Sequence, residues 1–134
     1  MTNGPLPLEI TMLAWSCVLV LVQLVMQATT GVPWGVPYLM SPRDEQKPVE
    51  GVMARRISRA FYNIMETFAV FVAVVLAVVA TGHLSAATAL GAQLYFWGRV
   101  VYLPLYIFGI PVARTLAWLV SIVGIVLVLS GLFH

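Results

Sequence analysis

Four long apolar segments alternate with shorter polar connections along the chain. They cover approximately residues 6–27, 60–80, 84–108 and 111–133. Each is close to the roughly 20 apolar residues that a helix needs to cross the hydrocarbon core of a bilayer. The connections after the second and third segments are short, and short connections make consecutive helices antiparallel neighbours. The pattern therefore predicts an all-α membrane protein, with one four-helix up-down bundle over residues 1–134.

The first connection, about residues 28–52, is longer than the others and is rich in proline, glycine and charged residues. Prolines at this density prevent a continuous helix, so the segment is predicted to be a loop. Basic residues gather in this loop and just after it: Arg43, Lys47, Arg55, Arg56 and Arg59. Arg114 follows the third connection, whereas the second connection, near Gly82, carries no Lys or Arg. Because connections rich in Lys and Arg stay inside the cell, we expect the first and third connections to face the cytoplasm and both termini to lie outside.

The composition separates this chain from ordinary soluble domains. Hydrophobic residues make up 61% of it and charged residues 9%, whereas soluble domains carry about 25% charged residues. A net charge of only +2 argues against nucleic acid as a partner and leaves the lipid bilayer as the expected surroundings. Cys17 is the only cysteine, so we expect no intrachain disulfide and no metal site. We expect its thiol to be buried and inert.

Polar residues recur at helical spacing inside two of the apolar segments. In the second segment they are spaced i, i+4 and i+7, at Arg59, Asn63 and Glu66. In the third segment they are spaced i, i+4, i+7 and i+11, at Tyr95, Arg99, Tyr102 and Tyr106. Each set therefore lines one face of its helix. Ionisable side chains are costly to place in hydrocarbon, so they usually face a bundle interior and mark a functional site.

Glu66 and Arg99 are expected to lie at the same depth in the membrane. At about 1.5 Å per residue of helix, both are on the order of 10 Å below the cytoplasmic interface. Because antiparallel neighbouring helices would place them side by side, the sequence predicts an ion pair between these two residues.

The residue types in the two stripes suit an anionic or zwitterionic ligand that bears carboxylates and an amine. Guanidinium groups bind carboxylates through two parallel hydrogen bonds, and Glu66 would accept the amine. A buried arginine near a thiol would also favour the thiolate. The alternative is that the polar residues only hydrogen-bond one another between helices. Arg55 and Arg56 have a further alternative as interfacial anchors, whose long side chains reach the lipid headgroups.

The segment Arg59–Glu66, with the sequence RAFYNIME, resembles the R-A-x-x-N-x-x-E signature of the MAPEG family, the membrane-associated proteins in eicosanoid and glutathione metabolism. Arg99, Tyr102 and Tyr106, followed by an arginine near the start of a fourth helix, are also similar to that family. The length, the four spans and the long first connection agree with the resemblance.

The resemblance implies a homotrimer that binds glutathione between adjacent subunits, on the cytoplasmic side of a membrane. For a bacterial-type member this would be the inner membrane. The implied glutathione-binding residues are Arg59, Asn63, Glu66, Arg99, Tyr102 and Tyr106. Arg114 is the implied catalytic residue, because it matches an arginine that stabilises the glutathione thiolate, and Thr115 follows where some members have a serine. The implied reaction is conjugation of a lipophilic electrophile or reduction of a lipid hydroperoxide, as in a glutathione transferase or peroxidase.

Two alternatives to a glutathione-dependent enzyme remain open from the sequence. A small multidrug-type transporter also has four spans and a buried carboxylate, but it needs that carboxylate near the middle of the first span. Here Glu9 lies at the edge of the first span, and the arginines near Glu66 would repel cationic drugs. The other alternative is a catalytically silent protein that retains the MAPEG fold, since binding residues alone do not establish turnover.

Overall fold

The computed structural model describes residues 5–29 and 51–133, and within these ranges the chain is helical without strands. The helices are α1 (Leu8–Thr29), α2 (Val52–Thr81), α3 (Ala86–Ile107) and α4 (Pro111–Ser130), followed by a short 3₁₀ turn, Gly131–Phe133. The prediction of an all-α, four-helix fold is confirmed. Most of the predicted first connection, residues 30–50, lies outside the described residues.

Three of the helical segments are long and apolar enough to cross a membrane: α1, α2 and Pro111–Phe133. Helix α3 has the same length as α1, 22 residues, but Gln93, Arg99 and its tyrosines make it more polar. Its buried residues include Arg99, Tyr95 and Tyr102. The helix therefore turns its polar side chains toward its neighbours, where they are separated from lipid. Four apolar spans were predicted, and three of the helices have the length and composition of a membrane span. Helix α3 is the exception because it carries the polar stripe.

Small residues bring α3 and α4 into close contact. A Cβ atom built on Gly91 would lie 2.5 Å from the carbonyl oxygen of Gly124. A Cβ atom on Gly98 would lie 3.0 Å from the carbonyl oxygen of Ala117. Small residues at such positions let helix backbones approach closely in membranes, where packing rather than water exclusion drives association. This approach places the start of α4 against the end of α3.

An apolar core joins all four helices, with Met12, Phe71, Val75, Tyr95 and Val128 among its buried members. The rings of Phe71 and Tyr95 stack with their centroids 4.0 Å apart. The hydroxyl groups of Tyr95 and Thr67 are within hydrogen-bond distance, at 3.2 Å. Tyr95, although it belongs to the predicted polar stripe of α3, is therefore a core residue that joins α2 to α3.

A buried polar contact joins α1 to the start of α3. Glu9 is only 4% exposed, and its Oε2 accepts a hydrogen bond of 2.6 Å from the hydroxyl of Thr88. Thr88 and Ser85 also form a capping box, in which each side chain accepts a hydrogen bond from the backbone N–H of the other. Capping satisfies donors that every helix N-terminus leaves free. The contact therefore ties the position of α1 to a well-defined helix end.

Helix α1 presents only a narrow stripe to the bundle, with Glu9, Met12, Ser16 and Gln23 buried. The remaining positions of the helix face outward to different degrees. Cys17 is exposed, so the prediction that its thiol is buried is wrong. The reason is its position next to Ser16, which takes the inward-facing place at this level of the helix.

We predict that replacing Gly91 with alanine destabilises the bundle, although alanine favours a helix over glycine by about 1 kcal/mol. The added Cβ would meet backbone atoms of Gly124 and Val128 at 2.5 and 2.9 Å, which can move only if α4 moves. Overpacking of this kind costs about 1–3 kcal/mol. The expected result is a lower melting temperature in detergent micelles. Gly98→Ala is the matched comparison, since its nearest neighbour lies at 3.0 Å, and equal melting temperatures for both variants would contradict this description of the packing.

Candidate functional site

The two predicted polar stripes meet where α2 and α3 pack together. Arg99 is 1% exposed, and its Nη1 donates a hydrogen bond of 2.8 Å to Oδ1 of Asn63. Its other two nitrogens, Nε and Nη2, are buried and have no hydrogen-bond partner in the described part of the chain. Since buried polar atoms are nearly always hydrogen-bonded, Arg99 has unused capacity to bind an acceptor.

Two tyrosines lie between two arginines in a stack along the end of α3 and the start of α4. We call this the guanidinium–tyrosine ladder; its members are Arg99, Tyr102, Tyr106 and Arg114. The guanidinium carbon of Arg99 lies 4.2 Å from the centre of the Tyr102 ring, and that of Arg114 lies 4.6 Å from the centre of the Tyr106 ring. The centroids of the Tyr102 and Tyr106 rings are 5.5 Å apart. Cation–π attraction of this kind strengthens when the partners are removed from water.

A cavity of about 180 Å³ opens beside the ladder. It is lined by Asn63, Tyr102, Arg114, Thr115 and Trp118. Thr115 uses its hydroxyl hydrogen for a 3.0 Å bond to the carbonyl oxygen of Pro111, which leaves its oxygen as an acceptor. Sequence reasoning assigned no chemistry to Trp118. Its spacing of one helical turn from Arg114 was the signal that could have identified it, since such residues share a helix face.

Two predicted site residues lie outside this cluster. Arg59 and Glu66 are exposed on α2, while Asn63, between them in the sequence, is partly buried against Arg99. Glu66 is near enough to Arg99 to interact electrostatically, but the two side chains form no ion pair. The predicted Glu66–Arg99 ion pair is therefore wrong, because the rotation of α2 about its axis turns Asn63, rather than Glu66, toward Arg99.

Arg56 lies on the inner side of α2, unlike its neighbour Arg55. Its Nη1 donates a hydrogen bond of 3.1 Å to the carbonyl oxygen of Ile107, at the end of α3, and its side chain is partly buried, whereas Arg55 is exposed. Arg56 therefore joins two helices and does not extend to the lipid headgroups as an interfacial anchor would. For Arg55 the exposed position agrees with an interfacial anchor.

The fold and the site together define a class: an integral membrane protein of bundled helices that holds a polar, arginine-rich site between them. The MAPEG family model matches residues 12–133, nearly the whole chain. The chain therefore belongs to the MAPEG family, the membrane-associated proteins in eicosanoid and glutathione metabolism. No curated protein and no solved structure matches the chain. Since the match includes most of α1 and all of the other three helices, the alternative of a multidrug-type transporter is set aside.

We predict that Asn63→Ala destabilises the folded protein, because it removes the one hydrogen-bond acceptor that Arg99 has among the described residues. Hydrogen bonds to charged groups contribute about 1.5–3 kcal/mol. Asn63→Asp keeps an acceptor and adds a counter-charge, so it should retain stability. Unfolding in detergent with increasing denaturant would measure both. Leu76→Ala, at an exposed position of the same helix, is the control, and an Asn63→Ala variant no less stable than this control would contradict the role of the contact.

Proposed function

We propose that the protein is a glutathione-dependent membrane enzyme, a transferase or peroxidase that acts on lipophilic substrates. The observation that carries the proposal is the ladder: Arg114 lines the cavity, Arg99 contacts two further lining residues, Asn63 and Tyr102, and no described carboxylate forms an ion pair with either arginine. An uncompensated cation in a membrane bundle is costly. A negatively charged ligand in the cavity would offset that cost, and family membership makes glutathione the natural candidate.

The residues present fit the chemistry of glutathione, which bears two carboxylates, one ammonium group and a thiol. Nε and Nη2 of Arg99 are buried and have no partner among the described residues, so they could donate two hydrogen bonds to one carboxylate once Asn63 and Tyr102, which contact Arg99 and line the cavity, move aside. Arg59 suits the second carboxylate and Glu66 the ammonium group. The hydroxyl groups of Tyr102 and Tyr106 provide further donors. When bound, glutathione supplies a thiolate that can conjugate an electrophilic carbon or reduce a hydroperoxide.

Arg114 is the residue best placed to stabilise that thiolate. It lies in the first turn of α4, lines the cavity and is held over the ring of Tyr106. A fixed positive charge next to sulfur lowers the cost of losing the thiol proton. Because Thr115 already donates its hydrogen to Pro111, its hydroxyl would have to rotate before it could donate to sulfur. We therefore assign the main role in thiolate stabilisation to Arg114.

The site in one protomer is open, which supports association with further copies of the chain, and we propose the homotrimer that the family resemblance implies. A cavity of about 180 Å³ is smaller than the roughly 300–1,000 Å³ typical of small-molecule sites. Arg59 and Glu66 are exposed in the protomer, on a helix that is long and apolar enough to cross a membrane. A neighbouring subunit would enclose the cavity and cover both charges. The ligand would then lie between subunits.

The same end of the bundle holds the basic residues Arg55, Arg56, Arg59 and Arg114. By the positive-inside rule this end faces the cytoplasm, where glutathione is dissolved, and we propose the bacterial inner membrane as its location. The substrate would enter from the bilayer along the apolar helix surfaces beside Trp118. An enzyme that joins a soluble thiol to a lipophilic compound needs access to both phases, and this placement provides it.

Glutathione is expected to raise the melting temperature of the wild-type protein, and this effect should disappear in Arg99→Ala and Glu66→Ala. Both variants remove a group that we assign to the ligand. Arg55→Ala, which removes an exposed arginine at the same end of the bundle, is the control and should respond as the wild type does. Stabilisation of wild-type size in both site variants would contradict the assignment.

Arg114→Ala is expected to lower turnover with a lipophilic electrophile such as chlorodinitrobenzene by about 100-fold, the usual effect of removing one charge-stabilising group. Glutathione binding, measured by calorimetry, should change much less, because Arg99 retains its donors. Equal losses in turnover and binding would make Arg114 a binding residue. Wild-type protein that binds glutathione without turnover of any electrophile or hydroperoxide would instead indicate a catalytically silent member of the family.

A further inference from the structure

The C-terminal end of α3 has one carbonyl group that the backbone does not satisfy. A helix leaves its last four carbonyl oxygens without intrahelical donors. Three of them accept hydrogen bonds from the following turn, in the pairs Phe108 N–H to Pro104 (2.9 Å), Ile110 N–H to Leu105 (2.9 Å) and Gly109 N–H to Tyr106 (3.1 Å). The fourth, that of Ile107, accepts from the side chain of Arg56 at 3.1 Å. Arg56 of α2 thus completes the hydrogen bonding of this helix end.

Arg56 also contacts the turn at a second point. Gly109 has a φ of 72°, in the left-handed region that glycine adopts readily. A Cβ atom at this position would lie 2.7 Å from Nη2 of Arg56 and 2.8 Å from its guanidinium carbon. The absence of a side chain at Gly109 is therefore what allows the guanidinium group to lie against the turn. One arginine holds both the last carbonyl of α3 and the residue at which the chain reverses.

The turn that Arg56 holds sets the position of Arg114. Tyr106 lies one residue before Ile107, on one side of the turn. Arg114 lies on the other side, in the first turn of α4, where its backbone N–H donates a hydrogen bond of 3.3 Å to the carbonyl oxygen of Ile110. The contact between the Arg114 guanidinium and the Tyr106 ring, at 4.6 Å, therefore bridges the two sides of this turn. A shift of the turn would move Arg114 relative to the ladder. Arg56 does not line the cavity itself.

We propose that Arg56 is a positioning residue, which fixes Arg114 over Tyr106 by holding the α3–α4 turn from α2. The mechanical part of this inference stands on the contacts alone, while its catalytic consequence rests on the proposed role of Arg114 in stabilising the glutathione thiolate. Since Arg56 acts through the turn and not on the ligand, its loss affects thiolate formation and turnover more than glutathione affinity.

The kinetic test compares Arg56→Ala with Arg55→Ala, which removes the same charge from the adjacent exposed position. Arg56→Ala should lower kcat about tenfold or more, in keeping with the sensitivity of catalysis to misplacement on the order of 1 Å. Its Kd for glutathione should stay unchanged, and Arg56→Lys, which can still donate to Ile107, should restore part of kcat. Arg55→Ala should behave as the wild type. Unchanged kcat in Arg56→Ala, or a loss of kcat matched by the loss of glutathione affinity, would overturn the proposal.

Amide hydrogen exchange tests the mechanical part without glutathione. In Arg56→Ala the amides of residues 108–110 should exchange faster than in the wild type, while those near Thr88, at the opposite end of α3, should not change. Unchanged exchange at residues 108–110 would overturn the inference whether or not glutathione binds. Faster exchange in a protein that fails to bind glutathione would support the holding of the turn and refute the proposed function instead.

Gly109→Ala provides a second perturbation of the same contact, for use if Arg56→Ala does not fold. The added Cβ would displace the Arg56 guanidinium, and a φ of 72° is strained for alanine. This variant should therefore also increase exchange at residues 108–110 and lower kcat, and only the double variant separates the two causes. In the double variant Gly109→Ala/Arg56→Lys, the fold-loss of kcat should be smaller than the product of the two single fold-losses, because both substitutions act on one contact. Effects that multiply fully would show that the two residues act independently and would overturn the proposal.

Discussion

The positive charge of Arg99 inside a membrane bundle is the constraint on which the rest of the site depends. A buried cation needs hydrogen-bond acceptors and negative or aromatic surroundings, because hydrocarbon solvates it poorly. Within the described residues the protein supplies one acceptor, Asn63 at 2.8 Å, and one aromatic face, Tyr102 at 4.2 Å. These contacts satisfy the charge only in part. Nε and Nη2 of Arg99 remain without a partner among the described residues, and we propose that an anionic ligand binds to them.

Close packing of α3 and α4 determines what else reaches that position. Gly91 and Gly98 let α4 approach, and the tight turn between the helices brings Arg114 back over Tyr106. The second guanidinium group is thus placed at the far end of the ladder by helix packing and by the turn that Arg56 holds. We assign glutathione binding to Arg99 and thiolate stabilisation to Arg114, at opposite ends of the ladder. A substitution at one end can therefore change binding or thiolate formation without changing the other equally.

The sequence allowed the helices and the meeting of the two polar stripes to be predicted, because hydrophobic length determines helices in a membrane and the i, i+4, i+7 spacing determines which residues share a face. It did not show the rotation of each helix about its axis. For that reason Glu66 was expected to pair with Arg99, whereas Asn63 occupies that place. The inward position of Arg56 depends on an unsatisfied carbonyl in another helix, and the contribution of Trp118 depends on the cavity. Helical spacing puts Arg56 on the same face as Asn63, and Trp118 on the same face as Arg114, but it does not show what either side chain contacts.

We propose that the guanidinium–tyrosine ladder binds glutathione and stabilises its thiolate. The most direct test is an ultraviolet difference spectrum of the purified wild-type protein during titration with glutathione, with Arg114→Ala measured in parallel. We expect a thiolate absorbance band that saturates in the wild type and is strongly reduced in Arg114→Ala at saturating glutathione. A wild-type protein that shows no such band at any glutathione concentration would contradict the proposal.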